Sequence, residues 1–271
     1  MNLRLLLLRL AVLGAALSVA QARAASENQE CGPAVLAPLG RALGVAHFVP
    51  SPVDFGKDPA GVVRTSSCKR MPDDPTLTLA AVGWDTPKED TKGQAVAIVD
   101  EAAGTVVALR RDEIDEDAST QMSNGSLRLD TAPYLLAPGV RAFGLDFYSE
   151  EQGCADGFVG PHRTLYVREG RELRPVLEDL PFGQASYLRG NQPRCVSDPR
   201  EAETAIFESY DVTIALGAPG KGGWRDLLLT VTAHRDDHKP SLLKPLHVRV
   251  PYDGRDYGLG DYEKAYRRWR Q

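Results

Sequence analysis

The sequence predicts a mostly β protein: antiparallel sheets built from hairpins, arranged like a sandwich or like part of a propeller, with an irregular N-terminal strap and a short C-terminal helix. Three observations carry this. The first is the stretch from Ile206 to His234, a long hairpin. In its outgoing arm Tyr210, Val212, Ile214 and Leu216 recur with period two and share one face of a strand. The run from Gly217 to Gly223 holds four glycines and a proline, the composition of a turn. In the return arm, Leu227, Leu228, Leu229 and Val231 make an almost unbroken apolar run, as in an interior strand covered on both faces. The second observation is a pair of shorter hairpins, Val96 to Leu109 and Thr164 to Leu177, alike in layout. The third is the tail, where Tyr262, Tyr266 and Trp269 at i, i+4 and i+7 mark one side of a helix.

Taken in order, the chain begins with Arg4 and Arg9 around a leucine run, an apolar stretch from Leu10 to Ala20, and Ala22-Arg23-Ala24. Basic start, short apolar core and small-x-small triplet read as a secretory leader over 1–24, removed at or near Ala25. The competing reading is a buried N-terminal helix. Cys31 follows Asn28-Gln29-Glu30, which is not a lipidation signal. No later segment is apolar over the roughly 20 residues a spanning helix needs. The expected location is therefore the periplasm or the exterior, with no transmembrane segment after leader cleavage. Losing three leader arginines and no acids takes the net charge from −5 to −8. That balance argues against nucleic acid as a partner, because such binding needs a basic surface.

Cys31, Cys68, Cys154 and Cys195 form an even set in a chain read as exported, which favours disulfides. Three connectivities are open. Cys31 with Cys68 and Cys154 with Cys195 is favoured, because each pair lies in irregular segments of its own half. A catalytic cysteine is the other reading, without a C-x-x-C pair to support it.

Residues 25–75 are rich in proline and glycine and read as an irregular strap, with a short helix over Val35 to Val45 from Leu36, Leu39 and Leu43. Sheet begins at Leu77-Thr78-Leu79 and fills 76–271, the β domain with its tail helix. Gln94 to Val99 and Thr105 to Leu109 flank the turn Asp100 to Gly104. Asp112, Glu113, Asp115, Glu116 and Asp117 then put five acids in six positions. They lack the glycine and downstream glutamate of an EF-hand and read as a solvated loop. Ser126 to Asp130 and Val140 to Tyr148 are further strands around Ala137-Pro138-Gly139, with Phe143, Leu145 and Phe147 on one face. Asp198-Pro199-Arg200-Glu201 is a helix start, and Leu246 to Val250 is the last strand.

Candidate chemistry is sparse. His234, Asp236 and His238, with His247 nearby, are the metal candidates by residue type. Their spacing suits a helix, whereas the segment follows a strand and reads as loop. G-x-S-x-G, H-E-x-x-H, Walker and dinucleotide-binding patterns are missing, so catalytic residues are unassigned and no cofactor is expected. The tail arginines and Trp269 either bind an anionic surface or leave the aromatic side to dock on the body.

Three phrases carry a resemblance: Arg70-Met71-Pro72-x-x-Pro75 leading to Leu77-Thr78-Leu79-Ala80-Ala81, Leu136-Ala137-Pro138-Gly139-Val140-Arg141-Ala142-Phe143-Gly144, and Gly223-Trp224-Arg225-Asp226-Leu227-Leu228-Leu229. Over Arg70 to Thr232 the chain resembles uncharacterised exported proteobacterial proteins of unknown function, a resemblance that implies no activity. The Gly-x-x-Asp-Leu-Leu phrase is similar to blade segments of FG-GAP-type propellers. The expected role is a non-catalytic binding or structural module acting on an envelope component or another exported protein. The alternative is an exported hydrolase, metal-dependent or not, whose histidines and acids gather only on folding. Histidines meeting carboxylates in one cleft would favour the hydrolase; an apolar or aromatic groove would favour the binder.

Overall fold

The computed structural model describes residues 28–46, 48–50, 61–117, 120–149, 157–188 and 206–270. The leader, Cys154, Cys195 and the Asp198 helix signal lie outside the described residues. Among the described residues fourteen strands form a nine-stranded and a five-stranded sheet.

The first sheet has the order β1-β2-β3-β4-β5-β10-β9-β7-β6. Its strands are β1 (Val49–Pro50), β2 (Val62–Arg70), β3 (Leu77–Asp85), β4 (Thr91–Asp100), β5 (Thr105–Asp115), β6 (Leu127–Ala137), β7 (Val140–Phe147), β9 (His162–Glu169) and β10 (Glu172–Pro181). Pairing is antiparallel except for β1 with β2 and for β5 with β10, which meet in parallel at Leu109 and Glu172. The two similar hairpins of the sequence thus sit side by side. The turn between β6 and β7 uses Gly139 at φ 74, a conformation that glycine adopts without penalty.

This sheet curls until β2 approaches β6, making a half-barrel. Side chains, not strand pairing, bridge that seam. Asn28 donates to Leu129 O at 3.1 Å and accepts from Leu129 N at 3.0 Å and from Ser67 Oγ at 2.7 Å. Thr65 Oγ1 accepts from Leu127 N at 3.4 Å. The inner face packs Leu79, Ala81, Val96, Ile98, Leu127, Leu129, Phe143, Leu145 and Tyr166.

Helix α1 (Pro33–Leu43) covers the outer face of β3 and β4. It starts two residues before the expected position, with proline at the start where no backbone donor is needed. Val35, Leu39 and Leu43 form its buried side. Gly44, left-handed at φ 71, ends it. The Cys31–Cys68 disulfide ties the segment before the helix to β2.

The second sheet has the order β14-β13-β12-β11-β8: β8 (Gly157–Val159), β11 (Gly183–Tyr187), β12 (Phe207–Pro219), β13 (Arg225–Arg235) and β14 (Leu246–Val250). Of the two arrangements open to the sequence, this is the packed-sheet one. Tyr210, Val212, Leu227, Leu229 and Val231 pack against Tyr134, Leu136, Ala142, Leu165 and Val167 of the curled sheet. Helix α2 (Gly260–Trp269) docks its aromatic side on the same core. Tyr262 is buried, Trp269 lies edge-on to Tyr210 at 5.5 Å, and its indole N–H donates to Lys244 O at 2.6 Å.

Three expectations are corrected. The strap is not irregular throughout, since 62–70 is strand β2 and the sheet begins before Leu77. Its inward residues Thr65 and Ser67 are polar because they serve the seam, so the strand shows no apolar alternation. The acidic run is not a free loop: Asp112, Glu113 and Asp115 continue β5 opposite β4. Cations neutralise it, with Arg110 on Asp112 at 2.7 Å, Lys88 on Glu113 at 3.2 Å and Lys92 on Glu116 at 3.1 Å. Finally, β13 is interior by pairing yet covered on one face only. Leu227 and Leu229 are 0% and 1% exposed, whereas Leu228 is 39% exposed. The strands buried on both faces are β3 and β4, between α1 and the half-barrel interior.

Candidate functional site

Antiparallel partners share a sheet face, so pairing across β6, β7 and β9 defines rows on the outer face of the curled sheet. One row is Tyr134, Ala142 and Val167, apolar and under the second sheet. The next is Asp130, Gly144 and Leu165, and beyond it come Arg128, Asp146 and Arg163. Where the covering sheet ends, the face becomes charged.

There an open cleft of about 670 Å³ forms, lined by Asn28, Lys69, Arg128, Asp130, Tyr148 and Phe182 among others. Arg163 lies across its floor. Its Nε and Nη2 donate to Asp146 Oδ1 and Oδ2 at 2.6 and 2.7 Å, a two-point pair. Nη1 donates to Asp130 Oδ2 at 2.8 Å and to the Tyr134 hydroxyl at 2.9 Å, and that hydroxyl donates to Asp130 at 2.7 Å. The guanidinium also stacks 3.6 Å from the Phe182 ring centre. Arg163 and Asp146 are 6% and 7% exposed. Gly144 leaves room beneath this crossing: a Cβ there would sit 3.2 Å from Asp130 Cβ, a tight contact, and 3.5 Å from Arg163 Nε, an ordinary one.

The electrostatics fix the protons. Burial disfavours the Arg163 charge, yet Asp146 and Asp130 outweigh it and hold the pKa above its usual value. Burial pushes the Tyr134 hydroxyl well above the ordinary tyrosine range, so it stays a donor. The floor is a saturated cluster without an activated nucleophile. The walls differ. Arg128 is exposed and lies 5.7 Å from the Tyr148 ring centre, and among the described residues neither it nor Lys69 has a carboxylate within 4.0 Å.

The sequence-based metal candidates are not brought together. His234 Nε2 lies 3.5 Å from Asp211, Asp236 is exposed in the turn after β13, and His238 is exposed at φ 59. His247 meets Thr230 at 3.0 Å on β14. Among the described residues no group of three or more His, Cys, Asp or Glu side chains could hold a metal ion. His162 Nδ1 lies 2.8 Å from Asp179 Oδ1, and this carboxylate raises its pKa against the effect of burial. Among the described residues no helix is long and apolar enough to cross a membrane.

Sequence reasoning missed the Arg163 cluster because its members come from three strands and are up to 33 residues apart. Nor is there a local trace: Asp146 between Leu145 and Phe147 falls where period two expects a polar residue. No protein-family model, curated protein or solved structure matches the chain.

Proposed function

We propose that the protein is an exported, non-catalytic binding module that holds an anionic group of an envelope component or exported partner in the cleft over Arg163. The observation that carries this is the contrast between floor and walls. The floor's arginine, aspartates and tyrosine satisfy one another, while Arg128 and Lys69 stand at the cleft without carboxylate partners among the described residues. A fixed floor with free cations above it is preorganised to receive a carboxylate, phosphate or sulfate oxygen, and it has no proton carrier poised for hydrolysis. Two free cations on a protein of net negative charge also select for a small anionic group over a polyanion. Export is supported by the leader pattern and by the disulfide at Cys31 and Cys68.

Calorimetric titration of the mature protein with citrate and with inorganic phosphate tests the reading. Saturable binding is expected for at least one, weaker in 0.5 M than in 0.05 M salt. Arg128→Ala and Lys69→Ala should each lose roughly tenfold in affinity, the worth of one charge-assisted hydrogen bond, at unchanged melting temperature. Equal affinity in wild type and both variants, or no binding of either anion, rejects it.

A further inference from the structure

A second cleft lies at the end of the half-barrel and is chemically unlike the first. Its volume is about 310 Å³, at the small end of the roughly 300–1,000 Å³ typical of ligand pockets. The wall is apolar: Met71, Leu77, Leu79, Ile98, Val140 and Phe143. Met71 and Leu77 are only partly buried, so the interior core is uncapped at this mouth.

The rim carries two arginines. β7 and β9 pair through Ala142 and Val167, and the next residues along the two strands, Arg141 and Arg168, both line this cleft. Like charges gathered at one mouth repel, and these two are poorly compensated. Arg141 donates to Thr131 O at 2.9 Å and reaches Asp73 only at 4.0 Å. Arg168 is exposed and donates to Gly170 O at 2.9 Å, with no carboxylate partner among the described residues. Asp74, also at the cleft, is engaged in its own turn by the backbone N–H and hydroxyl of Thr76. Beside Arg141 in the same row stands Leu135, 52% exposed on the strand's open side. Apolar wall, exposed leucine and two guanidinium groups together describe an amphiphile: an alkyl chain for the groove and one anionic head between the arginines.

We propose that this mouth is a binding site for a free single-chain fatty acid, its carboxylate between Arg141 and Arg168 and its chain along Met71, Leu77 and Val140. The head removes the arginine–arginine repulsion and the chain covers the uncapped end of the core. The site is independent of the Arg163 cleft.

The test is calorimetric titration of the mature protein with dodecanoate and with dodecyltrimethylammonium, which has the same chain and the opposite charge, both below their micelle concentrations. Dodecanoate should bind at one site, at least tenfold tighter than the cation. Arg168→Glu, at an exposed position, should weaken dodecanoate binding tenfold or more and narrow or invert the preference. Met71→Trp, which fills the groove, should abolish binding of both, with retained folding shown by an unchanged circular dichroism spectrum. Should that variant unfold, amide shifts of the wild type on adding dodecanoate carry the same information and should map to β3, β7 and the 71–74 turn. No dodecanoate binding, equal binding of the two amphiphiles, an affinity insensitive to Arg168→Glu, or shifts that map elsewhere would each overturn the proposal.

Discussion

Replacing Asp146 by asparagine separates a structural floor from an ornamental ion pair. In the wild type both Asp146 oxygens accept from Arg163, at 2.6 and 2.7 Å, and each residue is less than a tenth exposed. Asparagine keeps the shape but removes the charge and turns an NH2 group toward the guanidinium. Removing one partner of a buried pair costs about 3–5 kcal/mol, because the other charge is left uncompensated. Asp130 remains 2.8 Å from Arg163 and is itself 25% exposed, so the lower end, about 3 kcal/mol, applies. For a chain of this size that is on the order of 6–12 °C in melting temperature. The informative control is Asp146→Leu combined with Arg163→Met. Replacing both partners by apolar groups is often close to neutral, and the Tyr134 hydroxyl still donates to Asp130. The double variant should therefore be more stable than Asp146→Asn alone, a non-additivity that urea midpoints resolve. A loss below about 1 kcal/mol for Asp146→Asn, or a double variant as unstable as the summed single changes, refutes the argument.

Other outcomes follow from the same geometry. Leu227→Ala and Leu229→Ala should each cost about 2–5 kcal/mol, and Leu228→Ala under about 1 kcal/mol, since only the first two are sealed in the core; three comparable urea midpoints would contradict the one-wet-face description. The nearby Asp179 carboxylate raises the folded His162 pKa, so its stabilisation is fully present below the unfolded value of about 6.5 and fades as pH rises through the folded value. The stability gap between wild type and Asp179→Asn should thus be largest below about pH 6.5 and shrink as pH rises above it, and a gap independent of pH would refute the pair's role. Trp269→Ala should lower stability by roughly 1–3 kcal/mol through the lost Tyr210 contact and Lys244 hydrogen bond; an unchanged melting temperature would mean that the tail does not depend on docking.

Local chemistry was legible wherever the strand faced one apolar side. Tyr210, Val212, Ile214 and Leu216 alternate and pack on one core, and Tyr262, Tyr266 and Trp269 mark the docked side of α2. Coverage was harder to read. The run Leu227-Leu228-Leu229 resembles a strand buried on both faces, yet a row of Ala215, Leu228 and Arg249 looks outward. In β3 and β4 both faces carry small and large apolar residues alike: Ala80 and Val82 lie under the helix while Leu79 and Ala81 line the barrel. Period and hydrophobicity cannot count layers. Nor do they reveal β2, whose buried Thr65 and Ser67 are polar for a partner in β6 and an asparagine ahead of α1. The candidate site was invisible for the same reason. Asp130, Asp146 and Arg163 are ordinary surface residue types until three strands align them.

The position of the polar cleft follows from how the half-barrel closes. Continuous backbone pairing between β2 and β6 would leave no gap, and no second-row residues would face solvent there. Instead the side chains of Asn28, Thr65 and Ser67 span the seam, reaching farther than a strand-to-strand hydrogen bond and holding the edges apart. Asn28 and Lys69 then line one side of the opening and Arg128 the other. Across the neighbouring strands, cover by the second sheet stops at the row of Tyr134, Ala142 and Val167. Charged groups one row farther out would be half-solvated and mobile if left alone. Arg163 prevents this by crossing over Gly144 to bind both acids at once. A seam closed by side chains thus supplies the opening, and a buried guanidinium supplies its rigid floor. The two meet at β6, an edge strand of the curled sheet that carries Asp130 on one face and Leu127 and Leu129 of the core on the other.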